Sequence, residues 1–314
     1  MNRSTTQSPA ILRLGTRGSK LARVQAETVR AALRDAPGVA CELVILTTSG
    51  DQIQDRPLAD IGGKGLFTKE LEEALLRGSI DLAVHSMKDV PPMLPSGLAI
   101  AAILPREDVR DAFLSHSVSS LDELPAGARI GTGSVRRSAQ IARARPDLVI
   151  LPLRGNVDTR LAKLDSGAFD AILLAYAGLK RLGLQHRVTS LLPLETWLPA
   201  LSQGAVGIEI RHMDDPVAHV VARLNDQSAQ IALACERAFQ LSLDGSCRTP
   251  IGGIATVVQG SLAFRGEVLA PDGSDSAATA FEQVLGADPL AESAAAGREA
   301  GMALKPCVQA WLTN

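Results

Sequence analysis

Short apolar runs alternate with amphipathic helical patterns over the first two thirds of the chain. Residues 11–16 form a strand-like run, and Ala22, Ala26, Val29 and Leu33 follow at the i, i+4, i+7, i+11 spacing of one helical face. Further strands are predicted at 42–47, 80–84, 98–104, 148–153 and 169–175, with helices between most of them. Alternation of this kind is typical of parallel sheets covered by helices. From about 225 the pattern changes to helix, strands and an Ala-rich helical tail, which predicts a smaller α+β domain.

The predicted strand at 80–84 is followed directly by polar residues. These are His85, Ser86, Lys88 and Asp89, after which two prolines prevent the ladder from continuing. Polar side chains at the carboxyl end of such a strand project into the crevice where open α/β sheets bind ligands. The pattern favours charge chemistry in a cleft. The alternative is a solvated turn in which Asp89 caps backbone N–H groups.

Two turns resemble each other and suggest two similar lobes. Residues 14–19 and 130–137 both run from a strand through Gly-Thr and Gly-Ser into a helix, whose N-terminus attracts anions. Coincidence between two short Gly-Ser turns is the alternative. Neither turn is a Walker loop, and Arg136 stands where a dinucleotide fingerprint needs its third glycine, so NAD is not expected. No histidine spacing indicates a metal site.

Several arginines fall at strand–helix junctions or in first helical turns, where two facing lobes would direct them inward. Taken singly, each is more simply a solvated charge or an ion-pair partner. Together they indicate a ligand with many carboxylates, because a guanidinium fork binds a carboxylate through two hydrogen bonds. The set consists of Arg17, Arg136, Arg137, Arg154, Arg160 and Arg181.

Composition narrows the function classes. A chain of 314 residues with 46% apolar and 21% charged residues has the composition of a globular protein and the length of two or three domains. A net charge of −2 and an aromatic content of 3% argue against nucleic-acid binding. No apolar run reaches the roughly 20 residues of a membrane span, and residues 1–9 lack the apolar core of a signal peptide. We therefore expect a cytoplasmic location and no membrane partner.

The four cysteines include one with a distinctive context. No C-x-x-C occurs, so neither a disulfide framework nor a zinc site is indicated. Cys235 lies on an apolar helical stripe and is expected in the core. Cys247 lies in the turn 244–253 beside Arg248, a neighbour that favours the thiolate. The alternative is an ordinary surface thiol.

Six motifs, in order and at matching spacing from about Leu12 to Gly252, resemble the porphobilinogen deaminase family, whose members are also called hydroxymethylbilane synthases. Residues beyond 252 match only in general character. The motifs are Gly62-Gly-Lys-Gly-Leu-Phe67, His85-Ser-Met-Lys-Asp-Val-Pro91, Gly131-Thr-x-Ser-x-Arg-Arg137, Arg154-Gly-Asn-Val-x-Thr-Arg160, Gln203-Gly-Ala-Val-Gly-Ile-Glu209 and Gly245-x-Cys-x-x-Pro-Ile-Gly252.

The resemblance implies an α/β fold with two lobes like those of periplasmic binding proteins, mostly parallel sheets and a smaller C-terminal α+β domain. We expect domain 1 to comprise 1–104 and 204–222, domain 2 to comprise 105–203, and domain 3, with the cofactor cysteine, to comprise 223–314. A mobile loop over the cleft would lie near 48–65. The family also suggests a monomer.

The resemblance implies a transferase that joins four porphobilinogen molecules head to tail, with loss of ammonia, and releases hydroxymethylbilane. The chain would grow on a covalent dipyrromethane cofactor, held by Cys247 as a thioether, with Asp89 as the catalytic acid. Cofactor contacts would be Lys88, Ser19, Thr132, Ser134, Arg136, Arg137, Arg154 and Gln203. Substrate contacts would be Arg17, Arg154, Arg160, Arg181 and Phe67, with no metal.

One departure stands beside a predicted site residue. Lys20 occupies a position where many family members have proline, and the sequence offers no account of it. The competing function is a non-catalytic two-lobed binding protein for a polycarboxylate ligand, which would need no reactive thiol. A nucleic-acid or regulatory module is disfavoured by the composition.

Overall fold

The described part of the chain forms three β-sheets with flanking helices. The computed structural model describes residues 11–34, 39–52, 65–243 and 249–312. The strands are β1 Ile11–Arg17, β2 Ala40–Leu46, β3 Leu82–Ser86, β4 Leu98–Ile103, β5 Asp111–Ser115, β6 Arg129–Thr132, β7 Val149–Pro152, β8 Ala171–Ala175, β9 Ser190–Leu191, β10 Val206–Arg211, β11 Ile251–Val258, β12 Ser261–Leu269 and β13 Ser276–Val284. The helices are α1 Lys20–Arg34, α2 Ser49–Gln52, α3 Lys69–Leu76, α4 Val135–Ala144, α5 Val157–Asp165, α6 Tyr176–Arg181, α7 Asp215–Ala222, α8 Gln227–Ser242 and α9 Pro289–Leu312.

The first two sheets have the same topology, and each forms one lobe. Lobe 1 has the strand order β2-β1-β3-β10-β4 and lobe 2 the order β7-β6-β8-β5-β9. In both, the first three strands are parallel and the fourth runs antiparallel to its neighbours. The chain passes from lobe 1 to lobe 2 between β4 and β5, the first crossing, and back to lobe 1 between β9 and β10, the return crossing. The fourth strand of each lobe is the one that directly follows a crossing. This confirms the predicted α/β class with two similar lobes.

Apolar helix faces fix the layers of each lobe. Ala26, Val29 and Leu33 of α1 are fully buried against the lobe 1 sheet, which explains the helical spacing of apolar residues there. Lobe 2 buries one cluster on each side of its sheet, around Phe113 on one side and Leu174 on the other. A helix layer on both faces of a sheet is the usual way to bury strands that are apolar on both sides.

The third unit is an antiparallel meander, β11-β12-β13, packed on α8 and α9. Its core is built around Phe239 and Phe264, whose ring centroids lie 4.9 Å apart. Cys235 is fully buried in the same core, as its place on an apolar stripe predicts. The α+β C-terminal domain of the predicted fold class is therefore present.

Some element bounds differ from the predictions. The strand expected at 80–84 is β3, Leu82–Ser86, so His85 and Ser86 belong to the strand, and Ile80 packs below it. The segment expected as a loop from 48 begins with the short helix α2; most of that loop, 53–64, lies outside the described residues. Strand β5, which contains Asp111, was not predicted.

Candidate active site

A cleft of about 620 Å³ separates the two lobes. It lies beyond the carboxyl ends of β1, β3, β6 and β8, the edge at which α/β sheets collect polar side chains. The two similar turns meet there: Arg17-Gly18-Ser19 from lobe 1 and Gly133-Ser134 from lobe 2 both line the cleft. Ser134 is the N-cap of α4, and its hydroxyl accepts from the Arg137 N–H.

Asp89 reaches the cleft from a short 3₁₀ turn, Met87–Asp89, at the end of β3. Met87 is fully buried and anchors the turn. The Asp89 carboxylate is only part-buried, and it forms a long ion pair, at 3.7 Å, with Arg17 Nη1. Asp89 is thus held on a fixed turn with oxygens accessible from the cleft.

Arg17 is engaged by a second acid. Its Nε and Nη2 donate to the two oxygens of Asp51 at 3.0 and 2.5 Å, and its guanidinium carbon lies 4.1 Å from the centre of the Phe67 ring. Burial disfavours the charged form of Asp51, but the hydrogen bonds from Arg17 outweigh it and hold the pKa of Asp51 below its usual value. Arg17 therefore carries a bidentate carboxylate partner, the geometry that a ligand carboxylate would require.

Lys88 is exposed to the solvent in the cleft, but protein surrounds it on most sides. Its side chain is exposed at the cleft surface. Desolvation by the surrounding walls nevertheless dominates, and with the nearby Arg137 charge it outweighs the attraction of Asp89 and lowers the pKa of Lys88 to about 8. Lys88 is thus a cation that titrates close to neutral pH.

Arg136 and Arg137 share one buried carboxylate. Asp111 accepts from Arg136 Nη2 at 2.8 Å and from Arg137 Nη2 at 2.6 Å, and Gln203 Nε2 donates to it at 2.8 Å. Burial alone would raise the pKa of Asp111, but the two guanidinium charges hold it far below its usual range. One carboxylate therefore fixes three of the predicted cofactor contacts.

The remaining arginines of the predicted set also line the cleft. Burial lowers the pKa of Arg160 to about 10, assisted by the charges of Arg137 and Arg154, and burial lowers the pKa of Arg181 as well. Arg181 donates to the Gly204 carbonyl at 2.6 Å, and Arg160 to the Gly155 carbonyl at 2.8 Å. Several cations crowded together in this way favour an anionic ligand.

Most of the predicted site residues are brought into this one cleft. Thr132 is the exception among those described: it is buried beneath the turn, and its hydroxyl accepts from the Ser134 N–H at 3.2 Å instead of lining the cleft. Cys247 lies outside the described residues. The predicted residues that line the cleft are Arg17, Ser19, Phe67, Lys88, Asp89, Ser134, Arg136, Arg137, Arg154, Arg160, Arg181 and Gln203.

Sequence reasoning missed Asp51, Asp111 and the partner of Lys20. Lys20 Nζ lies 3.8 Å from Asp158 Oδ1, an exposed ion pair that joins lobe 1 to lobe 2 across the rim of the cleft. Asp158 occupies the variable position of the Arg154–Arg160 motif, and Lys20 lies outside the six motifs. The motifs therefore give no indication that these two residues form a pair. For Asp111 no motif offered a signal.

The described residues contain neither a cluster of metal ligands nor a membrane-spanning helix. No group of three or more His, Cys, Asp or Glu side chains in them has the arrangement of a metal site. No helix in the same part of the chain combines the length and apolar character of a membrane span.

The side chains around Asp111 suit a carboxylate-bearing pyrrole cofactor. Arg136 Nε, Arg137 Nε and Gln203 Oε1 are buried without a hydrogen-bond partner among the described residues, although all three side chains line the cleft. Two unpaired cationic N–H donors match an acid group, and an unpaired amide oxygen matches an N–H donor such as that of a pyrrole. A dipyrromethane, which has both groups, fits this donor set.

Comparisons with known proteins agree with this fit. Residues 12–219 match the family model described as porphobilinogen deaminase, dipyromethane cofactor binding domain, and residues 230–305 match that of the C-terminal domain. The chain is 52% identical over 299 residues to the porphobilinogen deaminase of Nitrobacter hamburgensis, covering 94% of each chain. It is 48% identical over 295 residues to that of Syntrophobacter fumaroxidans, again covering 94% of each.

Solved structures with a similar chain path include a putative methionine-binding lipoprotein from Bacillus subtilis, at 12% identity and a TM-score of 0.43, covering 70% of this chain and 92% of that one. A periplasmic substrate-binding protein from Coxiella burnetii has 14% identity and a TM-score of 0.44, covering 69% and 93%. The family models and the full-length relatives carry the assignment: the chain belongs to the porphobilinogen deaminase family.

Proposed function

We propose that this protein is a transferase of tetrapyrrole biosynthesis that condenses four porphobilinogen molecules head to tail, with loss of ammonia, and releases hydroxymethylbilane. The observation that carries the proposal is the cleft itself. It places the part-buried carboxylate of Asp89 among several arginines, in a chain of this family. A substrate whose pyrrole ring bears two carboxylates needs such cations for binding, and a cation that develops during the reaction needs such an anion.

Asp89 is the catalytic residue in this proposal. Loss of ammonia from the substrate leaves a positively charged pyrrole, and a fixed carboxylate stabilises that charge as it develops. Asp89 also moves protons: one to the leaving amine, and later one away from the newly joined ring carbon. Its contact with Arg17, at 3.7 Å, is long enough to leave the carboxylate oxygens accessible from the cleft.

The arginines and Lys88 bind the acid side chains and so orient the reacting rings. Arg17, Arg154, Arg160 and Arg181, with Phe67, form the substrate part of the cleft. The cofactor part is formed by Ser19, Lys88, Ser134, Arg136, Arg137, Arg154 and Gln203, with Thr132 beneath it as support for the Ser134 turn. Orientation by paired hydrogen bonds replaces much of the entropy cost of bringing two rings together.

When bound, the dipyrromethane supplies the terminal pyrrole carbon to which the first substrate unit is joined. Cys247 is the proposed attachment point, through a thioether, so that the product chain stays in the cleft between additions. Cys235 is fully buried, and burial strongly raises the pKa of its thiol, which makes it unreactive. Domains of 1–104 with 204–222, 105–203 and 223–314, a cytoplasmic location and a monomeric state belong to the same proposal.

Intact-mass spectrometry of the purified protein tests the proposal. We expect a mass above that of the polypeptide by two linked pyrrole units, and turnover of porphobilinogen to a linear tetrapyrrole. Cys247→Ala should lose both the extra mass and the activity, whereas Cys235→Ala and Cys41→Ala should keep the extra mass. A wild-type protein that is active at the mass of the bare polypeptide would contradict the proposal.

A non-catalytic binding protein for a polycarboxylate remains the competing function. It predicts reversible binding of a polycarboxylate at the arginines with no added mass and no ammonia release. The family assignment does not favour it.

A further inference from the structure

Asp111 is a buried carboxylate that fixes the orientation of several side chains of the cleft lining. It is the first residue of β5, is 1% exposed, and accepts four hydrogen bonds. Arg136 and Arg137 each donate to Asp111 through Nη2. Gln203 Nε2 donates to it at 2.8 Å, and Trp197 Nε1 donates to it at 3.0 Å. Two charge-assisted and two neutral donors satisfy both oxygens, which leaves Asp111 nothing to offer a ligand.

The four donors come from two different segments of the chain. The arginines lie in the first turn of α4, while Trp197 and Gln203 belong to the return crossing that leads to β10. Carbonyl groups complete the orientation: Arg136 Nη1 donates to Leu198 and Arg137 Nη1 donates to Leu173. Each guanidinium is therefore fixed through both of its terminal nitrogens.

Among the described residues, these hydrogen bonds leave one buried polar atom unpaired on each of the three side chains Arg136, Arg137 and Gln203. Arg136 Nε, Arg137 Nε and Gln203 Oε1 have no hydrogen-bond partner within the described ranges. The Gln203 orientation is determined by its partners, because Nε2 donates to both Asp111 and the Val109 carbonyl and the oxygen must then point elsewhere. An unpaired buried polar group costs free energy until a ligand pairs with it.

We infer that Asp111 is a positioning residue for the proposed reaction: it fixes Arg136, Arg137 and Gln203 so that two N–H donors and one amide oxygen are left for a pyrrole ligand that bears carboxylates. This rests on the proposed function. Asp111 also balances one of the two buried guanidinium charges, so the cluster of Asp111, Arg136 and Arg137 keeps a net positive charge. A ligand carboxylate neutralises that remaining charge.

The test uses Asp111→Asn in the full-length protein. The amide keeps the size of the carboxylate but removes its charge and places an N–H against donors. We expect a lower content of bound dipyrromethane by intact mass and, in the loaded fraction, a KM for porphobilinogen raised about 10- to 100-fold, the range for losing a hydrogen bond to a charged group. Leu124→Ala, in the lobe 2 core and outside the cleft lining, is the control for destabilisation.

A double-mutant cycle that combines Asp111→Asn with Arg137→Gln distinguishes a positioning role of Asp111 from a purely stabilising one. If Asp111 acts through Arg137, the double variant should raise KM little more than Arg137→Gln alone. Trp197→Phe provides a milder variant if Asp111→Asn does not fold; it removes one donor to Asp111 from outside the cleft, and we expect KM to rise about two- to tenfold.

The outcomes are distinct. Variants that lower the melting temperature as Leu124→Ala does, but keep the wild-type cofactor content and KM, overturn the role of Asp111. KM effects of Asp111→Asn and Arg137→Gln that multiply independently overturn it as well. A wild-type protein without added mass and without turnover contradicts the proposed function itself, and the ligand assigned to these side chains with it.

Discussion

At the scale of single residues, the acids of the cleft differ in how firmly they are paired. Asp51 takes two hydrogen bonds from Arg17, and Asp111 takes four from its neighbours. Within the described part of the chain, the ion pair of Asp89 is the long contact with Arg17, at 3.7 Å. A carboxylate that is saturated by donors is a poor base and a weak stabiliser of new charge, so Asp89 is the acid suited to chemistry.

Asp89→Asn should give a folded protein that is nearly inactive. The amide keeps the shape of the side chain but can neither balance a developing cation nor accept a proton, and we expect kcat to fall by about 10²- to 10⁴-fold. Asp158→Asn is the matched control, since Asp158 is also an acid of the cleft lining but pairs with Lys20 at the exposed rim. Near-normal turnover of Asp89→Asn, measured as ammonia release, would remove Asp89 from its role.

Lys88 should make substrate binding sensitive to pH above neutrality. With a pKa lowered to about 8, it is charged below that pH and loses its charge as the pH rises through it. A lost charge-assisted contact should raise the KM for a carboxylate substrate roughly tenfold between pH 7 and 9.5. Lys88→Arg keeps its charge over this range, so its KM should stay flatter.

The matched control for that measurement is Lys180→Arg. Lys180 lies outside the cleft lining, and its hydrogen bond to Glu107 raises its pKa, so it does not titrate in this range. Its pH profile should follow that of the wild type. If Lys88→Arg retains the wild-type profile as well, the pH dependence does not come from Lys88.

The sequence predicted the ligand-facing residues better than the residues behind them. Arginines at strand ends and an acid after β3 stand out because they interrupt apolar patterns. Asp111 does not stand out, since it opens a short strand and its donors come from 136–137 and 197–203, far away in sequence. Only the folded chain brings a carboxylate and four such donors together.

At the scale of elements, helix α8 of the C-terminal unit supports the turn that bears Asp89. Arg237 Nη2 donates to the Pro91 carbonyl at 2.7 Å and to the Pro92 carbonyl at 3.2 Å, and Nη1 donates to the Val90 carbonyl at 3.2 Å. Burial lowers the pKa of Arg237 to about 10. The two prolines end β3, and Arg237 satisfies the carbonyl groups that this interruption leaves unpaired.

Arg237→Met should weaken both the fold and the reaction. The methionine keeps much of the apolar packing but leaves three carbonyl groups without their donor, which should cost about 1.5–3 kcal/mol in the free energy of unfolding. Release of the turn should also lower kcat, because Asp89 would lose its fixed position.

Arg265→Met serves as the matched control for Arg237. Arg265 also reaches from the C-terminal unit to carbonyl groups, those of Leu194 and Glu195, but it is exposed and lies outside the cleft lining. Its variant should keep wild-type kcat. Equal losses of kcat in the two variants would show that the Asp89 turn has no special dependence on Arg237.

Element types followed well from the sequence, but pairing did not. The strand, turn and helix patterns of β1 with α1 and of β6 with α4 are local, so they are visible in short windows. Strands β5 and β10 pair across the crossings and run antiparallel within otherwise parallel sheets. Their partners depend on how the chain passes between lobes, which no local pattern records.

At the scale of the whole molecule, one carboxylate joins the third unit to both chain crossings. Glu236 of α8 is fully buried; it accepts from Arg106 at 2.6 and 3.1 Å, in the first crossing, and from the Ser202 N–H in the return crossing. It also accepts from the Ala255 N–H at 2.8 Å, within the third unit. Glu236 thus makes the relative placement of the lobes depend on the C-terminal unit.

Glu236→Gln should therefore destabilise the whole protein. The amide N–H₂ would face donors, and Arg106 would keep a largely buried charge without its counter-ion, a change that typically costs about 3–5 kcal/mol. Calorimetry should show a clearly lower melting temperature. Glu73→Gln is the matched control, since Glu73 pairs with Arg77 on the exposed face of α3 and should change stability by no more than about 0.5 kcal/mol. Equal melting temperatures for the two variants would mean that the crossings are held by packing alone.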